Sequence, residues 1–465
     1  MTESNNIPKH WQVKKLGEVC EKITNGANAK QHDENIGFPI SRIETIWNQK
    51  IDINRVKYIK ENENQFVEKY SLRYNDILFS HINSDIHLGK TAVYKSVPKV
   101  LIHGINLLLI RTNSLIDPIY FNYYLIFLRA RGKFISIAQK SVNQSSINQS
   151  KLKNVDVVLP PLPEQQDIVA KIEELFSELD NGIAQLKTAQ QQLKVYRQSL
   201  LKWAFEGKLS VKWRRGQTSL QTSSQLLKKI KGEREDILNS NKIKIKPIQS
   251  ISEEEFAELP KLPNGAVWVK LGEILWSVKD GPHYSPKYQE HGIPFISGGN
   301  IRPNGIDFKN VKYISKELHD ELSRRCKPMK MDVLYTKGGT TGIAKVNDYD
   351  IDFNVWVHVA VLKAISLINP YYLQYVLNSN HCYKQAQKYT HGVGNQDLGL
   401  TRMILITLPV FSIEEQNYIV SELESKLTVC DKIEETISQS LQQAETLRQS
   451  ILKKAFEGKL VKMKQ

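Results

Sequence analysis

The sequence predicts an α+β fold in which two homologous α+β domains are separated by two long antiparallel coiled-coil helices, an internal duplication with a pseudo-two-fold relation. Three observations predict it: a repeat of about 250 residues, short β-branched runs in the first part of each copy, and a seven-residue apolar period in the second part. The length of 465 residues agrees, since a single core seldom exceeds about 250 residues.

The duplication is visible in matched segments. RQSLLKWAFEGKL at 197–209 returns as RQSILKKAFEGKL at 448–460, a shift of 448 − 197 = 251 residues. VKYI at 56–59 returns at 311–314, a shift of 311 − 56 = 255 residues. A preserved order with a nearly constant shift indicates duplication of one ancestral unit.

The first part of each copy, residues 1–160 and 263–409, is predicted to be an α+β domain. The runs VKYI, DILFS, TAVYK, INLLLI and VDVVL in copy one have the length and the flanking residues of strands. Asp117-Pro118 and Asn369-Pro370 each place a capping side chain before a proline suited to the first helical position. A helix is therefore expected after each pair.

The second part of each copy, residues 161–209 and 410–465, is predicted to be one long helix. Apolar residues recur every seventh position, with a companion seam displaced by four. Pairing the two helices is the simplest way to bury both stripes; the alternative is that each helix lies on its own domain. The predicted pairing residues are Ile168, Ile172, Leu175, Leu179, Leu186, Leu193, Leu200, Ile419, Leu423, Ile433, Ile437, Leu447 and Ile451.

Residues 210–262 form a polar and basic connector between the copies. A short helix around 219–238 is plausible, and the preferred interpretation is a solvated linker whose lysines and arginines can still reach phosphates.

Composition restricts the class of protein. The net charge of +15 favours a polyanionic partner such as nucleic acid, although a merely basic or ribosome-associated protein has the same charge. The four cysteines are scattered, which argues against a zinc site or a disulfide framework. The N-terminal residues lack the apolar core of a signal peptide, and no apolar run approaches about 20 residues. We therefore expect a soluble intracellular protein.

The motifs of common enzymes are missing from the sequence. The glycines at 338–342 lack the Lys-Ser/Thr pair of a P-loop, and no GxGxxG motif opens a helix after a strand. Asn369-Pro370-Tyr371-Tyr372 is similar to a short motif of amino-methyltransferases, but its repeat partner Asp117-Pro118-Ile119-Tyr120 cannot perform that chemistry. Both segments suit helix capping. We therefore predict no catalytic residue, no metal ligand and no cofactor bound by this chain.

Over essentially its whole length, the chain resembles the specificity subunit of type I restriction-modification systems. The similarity is carried by LPPLPEQQDIV at 159–169, its partner LPVFSIEEQNYIV at 408–420, and the AFEGKL segments that end both helices. The resemblance implies that 1–160 and 263–409 are target recognition domains and that 161–209 and 410–465 are conserved spacer helices. It also implies two methylase subunits docked on the helices, restriction subunits that join them, and a cytoplasmic location. S-adenosylmethionine, ATP and Mg²⁺ are then cofactors of the partner subunits.

Each recognition domain is expected to read one half of a bipartite, asymmetric site in double-stranded DNA, with the helices setting the spacing. Two loops in each copy carry the candidates: SHINSDIHLGK (80–90) with KGGTTGIAK (337–345), and SVNQSSINQS (141–150) with THGVGNQDLG (390–399). Amide side chains suit adenine edges, and arginine suits guanine or phosphate. The candidate DNA-contacting residues are Arg42, Ser80, His81, Asn83, Lys90, Asn143, Gln144, Arg302, Lys337, Thr340, Thr341, Lys345, Asn395 and Gln396.

Two other functions are kept as alternatives. A stand-alone bipartite DNA-binding or scaffolding protein would share the layout and the charge but need no methylase. A self-sufficient methyltransferase or nuclease would need a cofactor motif, which the sequence does not supply.

Overall fold

A computed structural model describes residues 7–60, 64–141, 144–244, 247–392 and 397–461. The chain forms two compact units. Unit 1 contains Met1–Thr188 with Ile437–Gln465, and unit 2 contains Ala189–Thr436. Each unit therefore combines the α+β part of one copy with segments of both long helices.

The elements of copy one follow the order expected for an α+β domain. Its strands are β1 (Gln12–Lys15), β2 (Cys20–Asn25), β3 (Phe38–Ser41), β4 (Ile46–Trp47), β5 (Lys50–Ile51), β6 (Lys57–Ile59), β7 (Ile77–Ser80), β8 (Ile82–Asn83), β9 (Thr91–Val93), β10 (Ile102–His103), β11 (Leu107–Thr112), β12 (Gln139–Ser141), β13 (Gln144–Ser146) and β14 (Asp156–Leu159). Its helices are α1 (Asn64–Tyr70), α2 (Pro118–Ala130), α3 (Lys133–Ile137), α4 (Gln149–Lys153) and the long α5 (Leu162–Phe205).

Unit 1 is built on the antiparallel sheet β2-β11-β7-β9. The smaller sheet β10-β3-β6 contains a parallel pair, and β13 joins β12 to β8. The predicted cap is present, because the Asp117 carboxylate accepts from the backbone N–H groups of Ile119 and Tyr120 at 2.8 and 2.9 Å. Helix α2 then buries its aromatic face, including Phe121, in the core.

The elements after α5 repeat this order, preceded by the connector. The helices are α6 (Val211–Arg215), α7 (Ser223–Ser240), α8 (Glu253–Ala257), α9 (Lys316–Ser323), α10 (Pro370–Leu377), α11 (Asn380–Tyr389), α12 (Leu400–Met403) and the long α13 (Ile413–Phe456). The strands are β15 (Val267–Lys270), β16 (Leu275–Asp280), β17 (Ile293–Ile296), β18 (Ile301–Arg302), β19 (Gly305–Ile306), β20 (Lys312–Ile314), β21 (Val333–Thr336), β22 (Ala344–Val346), β23 (Asn354–Val355), β24 (Val359–Ala364) and β25 (Thr407–Val410).

Unit 2 repeats the topology of unit 1. Its sheet β16-β24-β21-β22 matches β2-β11-β7-β9, and β20-β17-β23 matches β6-β3-β10. The Asn369 side chain caps α10 as Asp117 caps α2. The structure is therefore of mixed α+β class with two repeated domains and two long helices, as the sequence predicted.

A buried glutamine fixes the start of each long helix. In unit 1, Gln165 is fully buried; its Nε2 donates to the carbonyls of Leu115 and Pro160, and its Oε1 accepts from the Asp117 N–H. In unit 2, Gln416 makes the corresponding bonds to Leu367, Phe411 and Asn369. This explains the glutamine of the "EQ" pair at the start of both helices, because a side-chain amide offers two N–H donors for the two carbonyls and an oxygen for the N–H group.

The two long helices pack against each other within each unit, and the contacts are reciprocal. In unit 2, Arg197 of α5 donates to Asp431 of α13 at 2.6 Å. In unit 1, Arg448 of α13 donates to Asp180 of α5. The pairs are related by the repeat, since 197 + 251 = 448 and 431 − 251 = 180. Each long helix therefore supplies the arginine of one pair and the aspartate of the other.

Burial along the helices separates the two predicted seams. Of the predicted residues, Ile168, Ile172, Leu193, Leu200, Ile419, Leu423, Ile437 and Ile451 are buried, and Leu175, Leu179 and Leu186 are half-buried. Ile433 and Leu447 are 44% and 50% exposed, so their placement in a helix-pairing seam needs correction. Both belong to the companion seam of α13, whose other positions include Lys426 and Lys454. An α-helix of 3.6 residues per turn rotates such a second stripe away from the partner helix.

The connector also differs from the expectation of a solvated linker. Helix α7 buries Leu226 and Ile230 in the core of unit 2, and Arg234 donates to the Leu275 carbonyl at 2.8 Å. Nearer α5, Arg214 of α6 forms an ion pair with the buried Glu415. Much of the connector is therefore a packed part of unit 2, although its surface remains basic.

Candidate nucleic-acid interface

Two loops meet at one edge of the main sheet in unit 2, and a lysine holds them together. Lys337 follows β21 and is only 3% exposed. Its ammonium group lies 2.8 Å from an Asp397 carboxylate oxygen and 3.5 Å from one of Asp280, and it donates to the Val357 carbonyl at 3.2 Å. The Leu398 N–H donates to the Lys337 carbonyl at 2.7 Å. The loop after β21 and the loop before α12 therefore form one structure.

The exposed tip of this structure is formed by residues 339 and 340. Gly339 has a φ of +72°, a left-handed conformation that favours glycine. Gly338 has no room for a side chain, because a Cβ would lie 2.0 Å from the His358 ring. Thr340 is exposed and follows directly. The glycines therefore let the backbone turn closely beside the sheet edge and present Thr340 to solvent.

Unit 1 has the corresponding pair of loops. The Ile147 N–H donates to the His81 carbonyl at 2.8 Å, as Leu398 does to Lys337. The second loop here is the hairpin of β12 and β13, and β13 pairs with β8. The Ser145 hydroxyl bonds to Asp85 at 2.5 Å. Both copies therefore place the same two predicted loops side by side.

Lysine is replaced by histidine at this place in unit 1. Burial lowers the pKa of His81, which favours the neutral ring. Burial and the nearby Arg129 lower the pKa of Lys90, whose ammonium group lies 3.1 Å from His87 Nδ1. Arg129 of α2 stabilises the loop 80–90, because it donates to the carbonyls of Leu88 and Ile86 at 3.0 and 2.7 Å. The loop 80–90 of unit 1 and the loop after β21 of unit 2 are therefore held by different side chains.

The candidates divide by accessibility. Gln144, Arg302 and Thr340 are exposed, and Arg42, His81, Asn83 and Lys90 are half-buried. Asn143, Asn395 and Gln396 lie outside the described residues. Ser80, Lys337, Thr341 and Lys345 are 0 to 8% exposed. The buried lysines each have a carboxylate partner within the protein. Lys337 pairs with Asp397 at 2.8 Å, and Lys345 pairs with Asp348 at 3.1 Å.

Sequence reasoning missed several charged side chains beside these loops. Lys140 lies on the β12–β13 hairpin with its ammonium group 3.7 Å from Asp85. Arg325 and His283 are 54% and 63% exposed and surround the buried Asp280 carboxylate at 2.9 and 3.3 Å. Lys140 could have been found from the alternating polar residues of a hairpin. Arg325 and His283 are brought to Asp280 by the fold alone.

No group of three or more His, Cys, Asp or Glu side chains able to hold a metal ion occurs among the described residues. In those same residues, none of the helices combines the length and the apolar composition that a membrane span requires.

The model of the type I restriction modification DNA specificity domain matches residues 8–189 and 263–443. The chain belongs to this family. The two matches correspond to the two copies, and each contains one pair of loops and the first part of one long helix.

Three curated relatives are similar to this chain. It is 36% identical over 320 residues to the putative type I restriction enzyme MjaX specificity subunit of Methanocaldococcus jannaschii, covering 66% of this chain and 65% of the relative. It is 27% identical to the EcoKI specificity subunit of Escherichia coli K12 (50% and 51% covered) and to the EcoBI specificity subunit of Escherichia coli (70% and 63%). These alignments span about half to just under two thirds of the relatives' length.

Two solved structures support the fold of this specificity-domain chain. One is a chain from a study of the assembly and conformational transition of a type I R-M system, with a TM-score of 0.64, 18% identity and coverage of 97% of this chain and 99% of that one. The other is the HsdS subunit from Thermoanaerobacter tengcongensis, with a TM-score of 0.58, 17% identity and coverage of 99% and 100%.

Proposed function

We propose that this chain is the DNA sequence-specificity subunit of a type I restriction-modification complex. Each recognition domain reads one half of a bipartite, asymmetric site in double-stranded DNA. The observation that carries the proposal is that the specificity-domain model matches twice, once in each copy, and that both copies place the same two loops at one sheet edge. The basic charge supports a DNA partner.

The exposed loop residues are the proposed DNA contacts. Exposed Thr340, in the loop after β21, and exposed Arg302, on β18, belong to the second recognition domain; exposed Gln144 belongs to the first, where the half-buried Asn83 is added as a candidate. Half-buried Arg42, His81 and Lys90 stay candidates for phosphate contact. The buried Lys337 is assigned to support of the loops and not to reading, because its donors are directed to Asp397, Asp280 and a carbonyl.

The long helices are proposed to act as a spacer. Both helices have 44 residues, about 66 Å at 1.5 Å per residue. The reciprocal Arg197–Asp431 and Arg448–Asp180 contacts support an antiparallel coiled-coil pairing with pseudo-two-fold symmetry, because a residue pair and its repeat-related pair make the same bond. Two recognition domains related in this way would meet one duplex at separate half-sites.

The same helices are proposed to dock two adenine-N6 methylase subunits and, through them, restriction subunits. The support is apolar surface on the helices that this chain leaves open: Val195, Tyr196, Val429, Ile433 and Leu447 are 41 to 67% exposed. Exposed apolar side chains at helical positions are suited to a partner helix. The chain itself is then non-catalytic and cytoplasmic, and S-adenosylmethionine, ATP and Mg²⁺ serve the partner subunits.

The test is to express the chain with a methylase encoded beside it and to map methylated adenines in the host genome. We expect one bipartite motif with a fixed spacer, and a purified assembly with two methylases per chain. The alternative is a stand-alone bipartite DNA-binding or scaffolding protein. A lone chain that binds DNA tightly, recruits no methylase and leaves the genome unmethylated would support that alternative.

Single substitutions test which recognition domain reads which half of the methylated motif. Arg302→Ala and Thr340→Ala should weaken or relax one half-site only, and Gln144→Ala and Asn83→Ala the other. A lost base contact costs about 1–3 kcal/mol, roughly 5- to 150-fold in discrimination. The matched control is Lys261→Ala, an exposed basic residue outside the loops. Relaxation of both half-sites by one substitution would contradict the assignment.

Lengthening the helices tests the spacer. Seven residues inserted after Thr188 in α5 and after Thr436 in α13 keep the heptad phase of the pair. They add about 10.5 Å, which corresponds to about three base pairs. We expect a methylated motif with the same half-sites and a longer spacer. An unchanged spacer would contradict the proposed role.

A further inference from the structure

The segment 42–55 of unit 1 carries the short β-hairpin of β4 and β5 and lies beside the loop 80–90. Strand β5 lies next to β9, the strand that follows this loop directly. Burial is the main cause of the lowered pKa of His87 in the loop, and the negative charge of Glu44 in the segment opposes this shift. The hairpin segment and the recognition loop are therefore neighbours within unit 1.

The hairpin segment holds an arginine in place at the surface. Buried Thr45 donates from its hydroxyl to the Arg55 carbonyl, and its carbonyl accepts from the Asp52 N–H, both at 2.9 Å. The Arg55 Nε donates to the Asp52 carboxylate at 3.0 Å, and the guanidinium carbon lies over the Trp47 ring, 3.8 Å from its centre. Trp47 is 47% exposed and the Arg55 side chain 40%. A guanidinium group held in this way loses little freedom when it binds an anion.

Unit 2 repeats this frame and also places an arginine on it. The Asn300 side chain donates to the Asn310 carbonyl, and the Asn300 carbonyl accepts from the Asp307 N–H, both at 2.8 Å. These three residues lie 255 positions after their counterparts in unit 1, and Arg302 corresponds to Trp47, since 302 − 47 = 255. The hydrogen bond from Asn310 is the main cause of the lowered pKa of Asp307, and Arg302 adds a nearby positive charge.

Both units therefore keep an arginine beside the equivalent aspartate, although different positions of the hairpin segment supply it. Residues that read bases are expected to differ between two half-sites, whereas the phosphates are the same in every sequence. We infer that Arg55, supported by Trp47 and Asp52, contacts a DNA phosphate in the half-site of the first recognition domain. A guanidinium group has five N–H donors, so the bond to Asp52 leaves donors for a phosphate oxygen. The inference rests on the proposed function and adds a positioning contact to the base-reading loops.

The salt dependence of DNA binding by the full chain measures this contact. The probes are a labelled duplex with the motif found by methylation mapping and a duplex of scrambled sequence, followed by fluorescence anisotropy. Loss of one phosphate contact reduces the slope of log K against log salt concentration by about 0.9. Arg55→Ala should show this reduction and should weaken binding of both duplexes by the same factor. Arg55→Lys keeps the charge and should keep the wild-type slope.

Arg73→Ala is the matched control, because Arg73 is an exposed arginine of unit 1 that precedes β7, at the end of this strand away from the loop 80–90. Its slope should equal that of the wild type. An unchanged slope in Arg55→Ala, an equal reduction in Arg73→Ala, or a loss confined to the motif duplex would each overturn the inference. In these three results the wild-type chain still prefers the motif duplex, so the proposed function would stand. A wild-type chain that binds both duplexes equally would overturn both.

Discussion

Helix α13 ends in the core of unit 1, and this packing predicts a large effect of Phe456→Ala. Phe456 is 3% exposed, and its ring centroid lies 5.4, 5.1 and 5.3 Å from the rings of Tyr120, Tyr124 and Phe127. Removal of a buried phenylalanine side chain costs about 3–5 kcal/mol, since contacts are lost and a cavity remains. We therefore expect the free energy of unfolding of unit 1 to fall by about this amount.

Hydrogen exchange read by mass spectrometry measures this change in each unit separately. Amide exchange in α2 of unit 1 should accelerate by roughly two to four orders of magnitude, because each 1.4 kcal/mol is a factor of ten. The corresponding helix α10 of unit 2 should keep its rate. Leu447→Ala on the same helix is the matched control, since Leu447 is 50% exposed and should change stability by about 0.5 kcal/mol or less.

The result that would refute the reasoning is an acceleration of less than about tenfold in α2. The end of α13 would then not be part of the unit 1 core. An equal acceleration in α10 would refute the assignment of Phe456 to one unit.

Three further predictions follow from single contacts. Lys337→Met should loosen the loops at the sheet edge, so that specific DNA binding weakens more than nonspecific binding in competition assays; an unchanged ratio would contradict a supporting role. Arg197→Ala and Arg448→Ala should each lower stability by about 0.5–1 kcal/mol, as expected for exposed ion pairs, and exchange should accelerate only in the unit that holds the substituted arginine. Burial lowers the pKa of His103 below its ordinary 6.5, so its contribution to stability is complete above about pH 6.5 and is lost as the pH falls toward the lowered pKa. His103→Gln should reduce this pH dependence in chemical denaturation of unit 1.

Elements determined by local pattern could be predicted from the sequence. The duplication, the long helices, the capped helices after Asp117 and Asn369, and five strands of copy one (β6, β7, β9, β11 and β14) are visible in the sequence as a repeat, a periodic run or a cap. Local signals of this kind depend on residues close together in the chain, so one sequence suffices.

Features determined by distant contacts could not be predicted. Lys337 reads as a loop lysine, and only the fold brings Asp280 and Asp397 to it from 57 residues before and 60 residues after. The seven charged residues among the 18 of helix α7 favour a solvated segment in the sequence, although Leu226 and Ile230 are four residues apart and share one face. In both cases the charged residues of the segment suggest exposure to solvent. Contacts with residues distant in the sequence bury Lys337 and the apolar face of α7 instead.

The exchange of helix ends makes each unit depend on both copies. Unit 1 takes Ala455 and Phe456 from the end of α13, and unit 2 takes Ala204 and Phe205 from the end of α5, where the Phe205 ring lies 5.5 Å from that of Trp268. The two pairs are equivalent in the repeat, since 204 + 251 = 455. A fragment of residues 1–209 lacks the end of α13, so its unit 1 core would be incomplete. The fragment keeps the equivalent end of α5, which could fill the same place in a second copy. We expect this fragment to form a dimer in which each α5 end completes the core of the other chain. A well-folded monomer in analytical ultracentrifugation would show that the core closes without the exchanged helix end.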